Sequence, residues 1–362
     1  MGAPPVPVLD LSDDVARLAS TICDLPSVSG SERELADALS AALSRLGHLR
    51  VERDGDAVVA RTLLGRPRRV VVAGHIDTVP VQDNLPTRLV EGELWGRGTV
   101  DMKGGVAVMA HLAARLVDPA WDVTWAFYDH EEVDAALNGL GRVARHHPDW
   151  LEGDLAILME PTNAQVEGGC NGTMQVDVEL RGRTAHSARA WRGTNAVHLA
   201  APVLTRLADY EPATVEVEGL KFRESLSAVA ISGGIASNMV PDACTVSVNY
   251  RFAPSTSVAE AEDHLREVFA GHDLVVRDAV AGARPGLDRP EVAAFVEALA
   301  ATGARVGPKY GWTDVARFSK LGIPAVNYGP GDPMLAHADD ERCPVYQIHA
   351  CADALASWLS KG

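Results

Sequence analysis

The chain has 362 residues, of which 47% are hydrophobic and 23% charged, and its formal net charge is −16. This is the composition of a soluble globular protein too long for one compact core. The acidic excess argues against nucleic acid and anionic membranes as partners, and an anionic substrate would need local arginines to reverse the field.

In chain order, the opening MGAPPVPVLDLSDD lacks the basic and apolar regions of a signal peptide, and Val6 breaks the Met-Gly acylation pattern. Residues 10–46 have helical spacing. Leu35, Leu39, Ala42, Leu43 and Leu46 fall on one face, with Ser31 as the expected N-cap. Four apolar runs follow, each ending in polar residues: RRVVVAGHID (68–77), VTWAFYDHEE (123–132), LAILMEPT (155–162) and IPAVNYGPG (323–331). MKGGVAVMAHLAARLV (102–117) reads as a helix opened by two glycines. Runs alternating with helices indicate an α/β sheet covered on both faces, with the polar ends gathered along its carboxyl edge.

From 171 to 283 the pattern changes. TMQVDVELRG, SAVAISGGIA and CTVSVNYRFAP read as strands, the first alternating as a half-exposed strand does, and 196–210 and 258–271 have helical spacing. The expected organisation is a catalytic α/β domain in two parts, 1–170 and 284–362, with an inserted α+β domain at 171–283 built on an antiparallel sheet. The five cysteines form no CxxC pair, which fits thiols acting as small hydrophobes in a reducing cytosol. No apolar run approaches the ~20 residues of a membrane span.

The chemistry lies at the run ends. The first run supplies His75 and Asp77, two apart and so on one side of an extended chain, where Asp77 can fix the His75 tautomer. Asp101 precedes the glycine-rich helix start. Then come the adjacent Glu131 and Glu132, Glu160, and finally His337. Neighbouring carboxylates repel, so water or a cation must offset them. Two histidines with several carboxylates and no thiolate suit Zn²⁺, with Co²⁺ or Mn²⁺ as substitutes. Two ions could share the set if one carboxylate bridges. Two dications against three ligand carboxylates leave about one positive charge, which would hold one glutamate ionised as a general base.

GHIDTVP, GRGTVDMKGG, the Glu131–Glu132 pair and Glu160-Pro161 resemble the M20 family of di-zinc aminoacyl hydrolases. RTAHSARAWRGTNAVH, SGGIASNMVPDACTVSVNYRFAP, KYGWTDVARF and NYGPGDPMLAHADDER resemble its actinobacterial members, over essentially the whole chain. The resemblance implies a zinc-peptidase-like catalytic domain with a mixed sheet and an inserted dimerisation, or lid, domain. It implies two zinc ions per subunit, bridged by Asp101, with His75 and Glu160 completing one site and Glu132 and His337 the other. Glu131 would be the base for the water and Asp77 would orient His75. His186 would stabilise the oxyanion in the partner subunit of a homodimer, and Asn238, Arg251 and Thr313 would contact substrate. The implied reaction is hydrolysis of the amide of N-succinyl-LL-2,6-diaminopimelate in the cytoplasm. Acetylornithine, other acylated amino acids and dipeptides are alternative substrates, and a non-catalytic sensor is a more distant reading. Two positions depart from the family pattern. His130 precedes the glutamate pair where a small or acidic residue is common. Asn171 stands where many members carry arginine, a charge that Arg189 or Arg192 would restore.

Overall fold

A computed structural model of the chain describes residues 7–361. Met1–Val6, where the acylation reading and the start of the leader reading fall, and Gly362 lie outside the described residues. The chain divides into two compact units: 1–168 with 286–307 and 317–362, and 169–285 with 308–316.

The first unit is built on an eight-stranded sheet. Its order is Arg50–Asp54, Ala57–Arg61, Asp122–Tyr128, Arg69–His75, Leu155–Leu158, Ala325–Asn327, Val166–Gly168 and Val306–Pro308. The four predicted apolar runs are its centre and lie parallel to one another. The flanking Ala57–Arg61 and Val166–Gly168 strands run antiparallel to their neighbours, so the sheet is mixed. Val70, Val71, Val72 and Ala73 are all fully buried. Successive strand residues point to opposite faces, so both faces are covered, as the uninterrupted apolar run predicts. The Lys103–Arg115 helix packs on the Arg69–His75 strand and against the Val15–Cys23 and Val345–Lys361 helices. Among the described residues no helix is long and apolar enough to cross a membrane.

Residues 10–46 form two helices, Val15–Cys23 and Arg33–Leu43. The second is not capped by Ser31. Its N-cap is Glu32, whose side chain makes no capping bond. That carboxylate turns inward instead, accepting from Gly30 N at 2.9 Å.

The glycine pair at the start of the Lys103–Arg115 helix permits close packing. A Cβ on Gly104 would lie 2.4 Å from Thr99 O, and one on Gly105 would lie 2.4 Å from Met159 O. Both obstacles are backbone, and Met159 adjoins Glu160. Gly105→Ala is expected to destabilise the fold by about 1–3 kcal/mol, as overpacking does, and to displace Glu160. Urea unfolding with metal titration checks both effects.

The second unit carries a four-stranded antiparallel sheet in the order Ser225–Gly233, Ala243–Phe252, Gly172–Arg181, Asp273–Val280. Along Ala243–Phe252, burial alternates strictly from Cys244 to Phe252. Val246, Val248, Tyr250 and Phe252 pack with Met174, Val176, Leu265 and Phe269 in one core. The Val258–Val268 helix opens with a capping box of Ser257 and Glu260. Ser225–Gly233 lies at the sheet edge, and most of its residues are exposed. All five cysteines are buried and free.

Candidate metal centre

The parallel strands deliver His75, Asp129, Glu131, Glu132 and Glu160 to one sheet edge, because each sits at or just after a strand's carboxyl end. Asp101 arrives from the turn before the Lys103–Arg115 helix. His337 arrives from the loop following the Ala325–Asn327 strand.

The five predicted ligands, joined by the predicted base Glu131, converge in three groups whose ligand atoms lie within 4.8 Å of one another: His75, Asp101 and Glu160; Asp101, Glu132 and His337; and His75, Glu131 and Glu132. Asp101 turns one oxygen to each histidine. His75 Nε2 is 3.2 Å from Oδ1, and His337 Nε2 is 3.3 Å from Oδ2. His337 Nε2 also meets Glu132 Oε1 at 2.9 Å. Five donors of imidazole and carboxylate type, without thiolate, fit zinc-like divalent ions.

Asp77 is the hub behind them. It is fully buried. Its Oδ1 accepts from Glu131 N at 3.0 Å, and its Oδ2 from Glu132 N at 3.1 Å and Ser29 Oγ at 2.7 Å. His75 Nδ1 meets the Asp77 backbone carbonyl at 3.0 Å and its carboxylate at 3.5 Å. Asp77 therefore positions both a histidine and the glutamate pair. Burial raises its carboxyl pKa, but the His75 ring, the Glu131 amide and the Ser29 hydroxyl outweigh that and hold it at about 2.

Sequence reasoning missed two supports. Arg97 and Glu341, both nearly fully buried, pair at 2.8 Å. Glu341 Oε1 then accepts from Val100 N at 2.9 Å and Asp101 N at 3.2 Å. His130 belongs to the other support. It is partly buried, 2.7 Å from Asp129 and 3.3 Å from the buried Glu32, while Arg142 donates to both Asp129 oxygens. His130 and His337 both have left-handed backbones, with φ of 58° and 65°. Such residues are held there by their surroundings and cluster at functional sites. Only the unusual His130 hinted at the first network. The arginine of GRGTVD and the glutamate of HADDER were the only traces of the second.

The metal-free centre gathers protons. Asp101 and then Glu132 raise His337 to about 10, against some opposition from burial. Burial lowers the His75 pKa, but Asp101 and Asp77 more than reverse it. Burial raises the Asp101 pKa, but His337 and His75 hold it well below its ordinary value. A raised histidine stabilises the fold fully below its ordinary value of 6.5 and loses that effect as pH rises through its folded pKa, here about 10. The metal-free protein should therefore lose stability from about pH 6.5 to 10. A divalent ion held by these groups must displace these protons, so metal loading at pH 7 should release on the order of two protons, and affinity should rise with pH. Calorimetry in buffers of different ionisation enthalpy measures both.

The remaining predicted residues lie in the second unit. His186 is exposed, and its Nδ1 accepts from Ala188 N at 3.1 Å. Asn238 is its neighbour: Ser187 N donates to Asn238 O at 2.9 Å, and His186 bridges Met239. Arg251 is partly buried on the Ala243–Phe252 strand. Thr313 is buried, with its carbonyl 3.8 Å from Cys170 Sγ.

Residues 71–361 match peptidase family M20/M25/M40. A Corynebacterium glutamicum protein named succinyl-diaminopimelate desuccinylase is 43% identical over 365 residues, covering 98% of each chain. A Mycobacterium tuberculosis H37Rv protein with a provisional name of the same kind, DapE, is 52% identical over 355 residues, covering 97% of this chain and 99% of its own. Among solved structures, the M20 family metallo-carboxypeptidase Sso-CP2 of Sulfolobus solfataricus has a TM-score of 0.79 at 17% identity, covering 96% of this chain and 99% of its own. The Bacillus subtilis YXEP protein, a dinuclear metal-binding M20 peptidase, has a TM-score of 0.71 at 16% identity, with 96% of each chain covered. At such identities the structures support the fold.

Proposed function

The chain belongs to peptidase family M20/M25/M40, and on that premise we propose that it removes succinate from N-succinyl-LL-2,6-diaminopimelate by metal-dependent amide hydrolysis. The observation that carries this reading is the 52% and 43% identity, over nearly the full length, to proteins named for that reaction. The donor set around Asp101 supports the metal dependence.

Asp101 would bridge two ions, with His75 and Glu160 holding one and Glu132 and His337 the other. Zinc is the preferred metal and cobalt a substitute. When bound, such ions polarise a carbonyl and bring the pKa of a water to about 7. Glu131 then takes a proton from the attacking water as its oxygen bonds to the amide carbon. It returns that proton to the leaving amine as the carbon–nitrogen bond breaks, giving succinate and LL-diaminopimelate. Asp77 keeps the His75 ring and the Glu131 backbone in place. Arg251, Asn238 and Thr313 hold the substrate.

A homodimer, with His186 stabilising the oxyanion of its partner's reaction, is part of the same reading. Two features support it. The Ser225–Gly233 edge strand exposes Val229 and Ile231. His186 has Nδ1 engaged, which leaves Nε2 to act. The free buried thiols support a reducing, cytoplasmic location.

The test is kcat/KM of the zinc-loaded protein on succinyl-LL-diaminopimelate, acetylornithine, succinylarginine and a dipeptide. A preference of about 100-fold for the first, roughly 2.7 kcal/mol of transition-state discrimination, is expected. A flat profile or another winner would contradict the substrate assignment and keep the hydrolase.

A further inference from the structure

We infer that Arg223, at the end of the Leu220–Arg223 strand that pairs with Thr214–Val217 in a separate two-stranded sheet, is a second anion anchor on the same cavity wall as Arg251, supplying the positive charge that position 171 lacks, and that together they take a carboxylate of the acylated amino-acid substrate. The inference rests on the proposed reaction and adds a specificity residue to it.

The observation is a cavity of about 460 Å³ within the second unit, lined by Asn171, Arg223, Glu224, Ser225, Arg251 and Tyr310, among others. Its place follows from strand register. Ser225, Arg251 and Thr173 sit in one row across three strands, on the polar side of a sheet whose other side is core. Arg223 ends the strand just before Ser225.

Both guanidiniums lack an acidic partner among the described residues. Arg251 Nε donates to Asn249 Oδ1 at 3.0 Å, which is a neutral contact. Burial pushes the Arg251 guanidinium below its ordinary pKa, and no carboxylate offsets this. Glu224 is the one acid on the cavity wall, but both its oxygens are engaged: Oε2 accepts from Tyr250 OH at 3.0 Å and Oε1 from Ala253 N at 2.8 Å. Two unpaired arginines in a chain of net charge −16 are placed against the general field. Arg251, partly buried without a counter-ion, is costly unless an anion arrives, whereas Arg223 is exposed and within the same cavity lining. A paired guanidinium is the standard holder of a carboxylate.

Asn171 explains how the charge can be moved. Its Nδ2 donates to Arg223 O at 2.9 Å, so the residue at the family's arginine position tethers the backbone of Arg223. Arg189 and Arg192, considered earlier for this role, do not line the cavity.

The test titrates succinate and diaminopimelate calorimetrically into the zinc-loaded full chain, its Arg223→Ala and its Arg223→Lys variants. Arg223→Ala should weaken at least one probe about tenfold or more, the loss expected for a charged hydrogen bond. Arg223→Lys should recover part of that loss, and the thermal midpoint should stay put because the side chain is exposed. Alanine binding within twofold of wild type, no binding of either probe to wild type, or a loss that lysine does not recover would overturn the inference. Turnover separates this from the parent reading. If wild type hydrolyses succinyl-diaminopimelate and Arg223→Ala does so equally well, only the role of Arg223 falls. If wild type binds the probes through Arg223 yet turns over nothing, only the proposed reaction falls.

Discussion

Replacing Glu131 by glutamine is expected to lower kcat by about 10³- to 10⁴-fold, the upper range for loss of a general base, while two equivalents of metal stay bound. Geometry makes this more than a routine substitution. The Glu131 carboxylate lies within ligand distance of His75 and Glu132, so it is placed to be a ligand as well as a base. Losing a ligand costs metal affinity, whereas losing a base costs rate. The backbone is held apart from the side chain, since Glu131 N donates to the buried Asp77 at 3.0 Å. Glutamine should therefore sit where glutamate sat. Metal content by atomic absorption, measured beside kcat, decides the role. Loss of one equivalent with the rate would make Glu131 a ligand.

Glu341→Ala is expected to cost about 3–5 kcal/mol of stability, because it leaves the Arg97 guanidinium buried and unpaired. It also frees the Val100 and Asp101 amides that Glu341 holds. Glu341→Gln keeps an acceptor for those amides and should fold. It should still weaken metal binding by about 10- to 100-fold, as loss of a ligand's supporting partner does. The reason is that Arg97 and Glu341 join the Asp101 turn to the His337 loop, with Arg97 Nη1 also donating to Ala338 O at 3.2 Å. Competition with a chromophoric chelator gives the affinity, and thermal melts of the metal-free protein give the stability. Wild-type metal affinity in Glu341→Gln would reduce this pair to a purely structural one.

The catalytic sheet was legible because its central strands are buried on both faces. VVVA at 70–73 and VTWAFY at 123–128 leave little choice of element, and the polar residues ending them had to reach one edge. The antiparallel sheet was legible from its period of two. What escaped notice were contacts between distant segments. Glu341 reaches Val100 across 241 positions, and no local pattern marks either as a partner. The left-handed backbones at His130 and His337 have no sequence signature, since glycine or asparagine would be the usual occupant. Ser31 looked like a cap, but Glu32 was drawn inward to Gly30 and His130. Arg223 could not be singled out from sequence, because only the folded chain brings it into one cavity lining with Arg251.

The most direct test of the account is a crystal structure of the zinc-loaded protein with anomalous data at the zinc edge. Two peaks are predicted, one against His75 and Glu160 and the other against Glu132 and His337, with Asp101 touching both through separate oxygens. Glu131 should contact neither ion directly. A single peak, a pair not bridged by Asp101, or Glu131 coordinated to zinc would contradict the two-ion centre and the role of Glu131 as base.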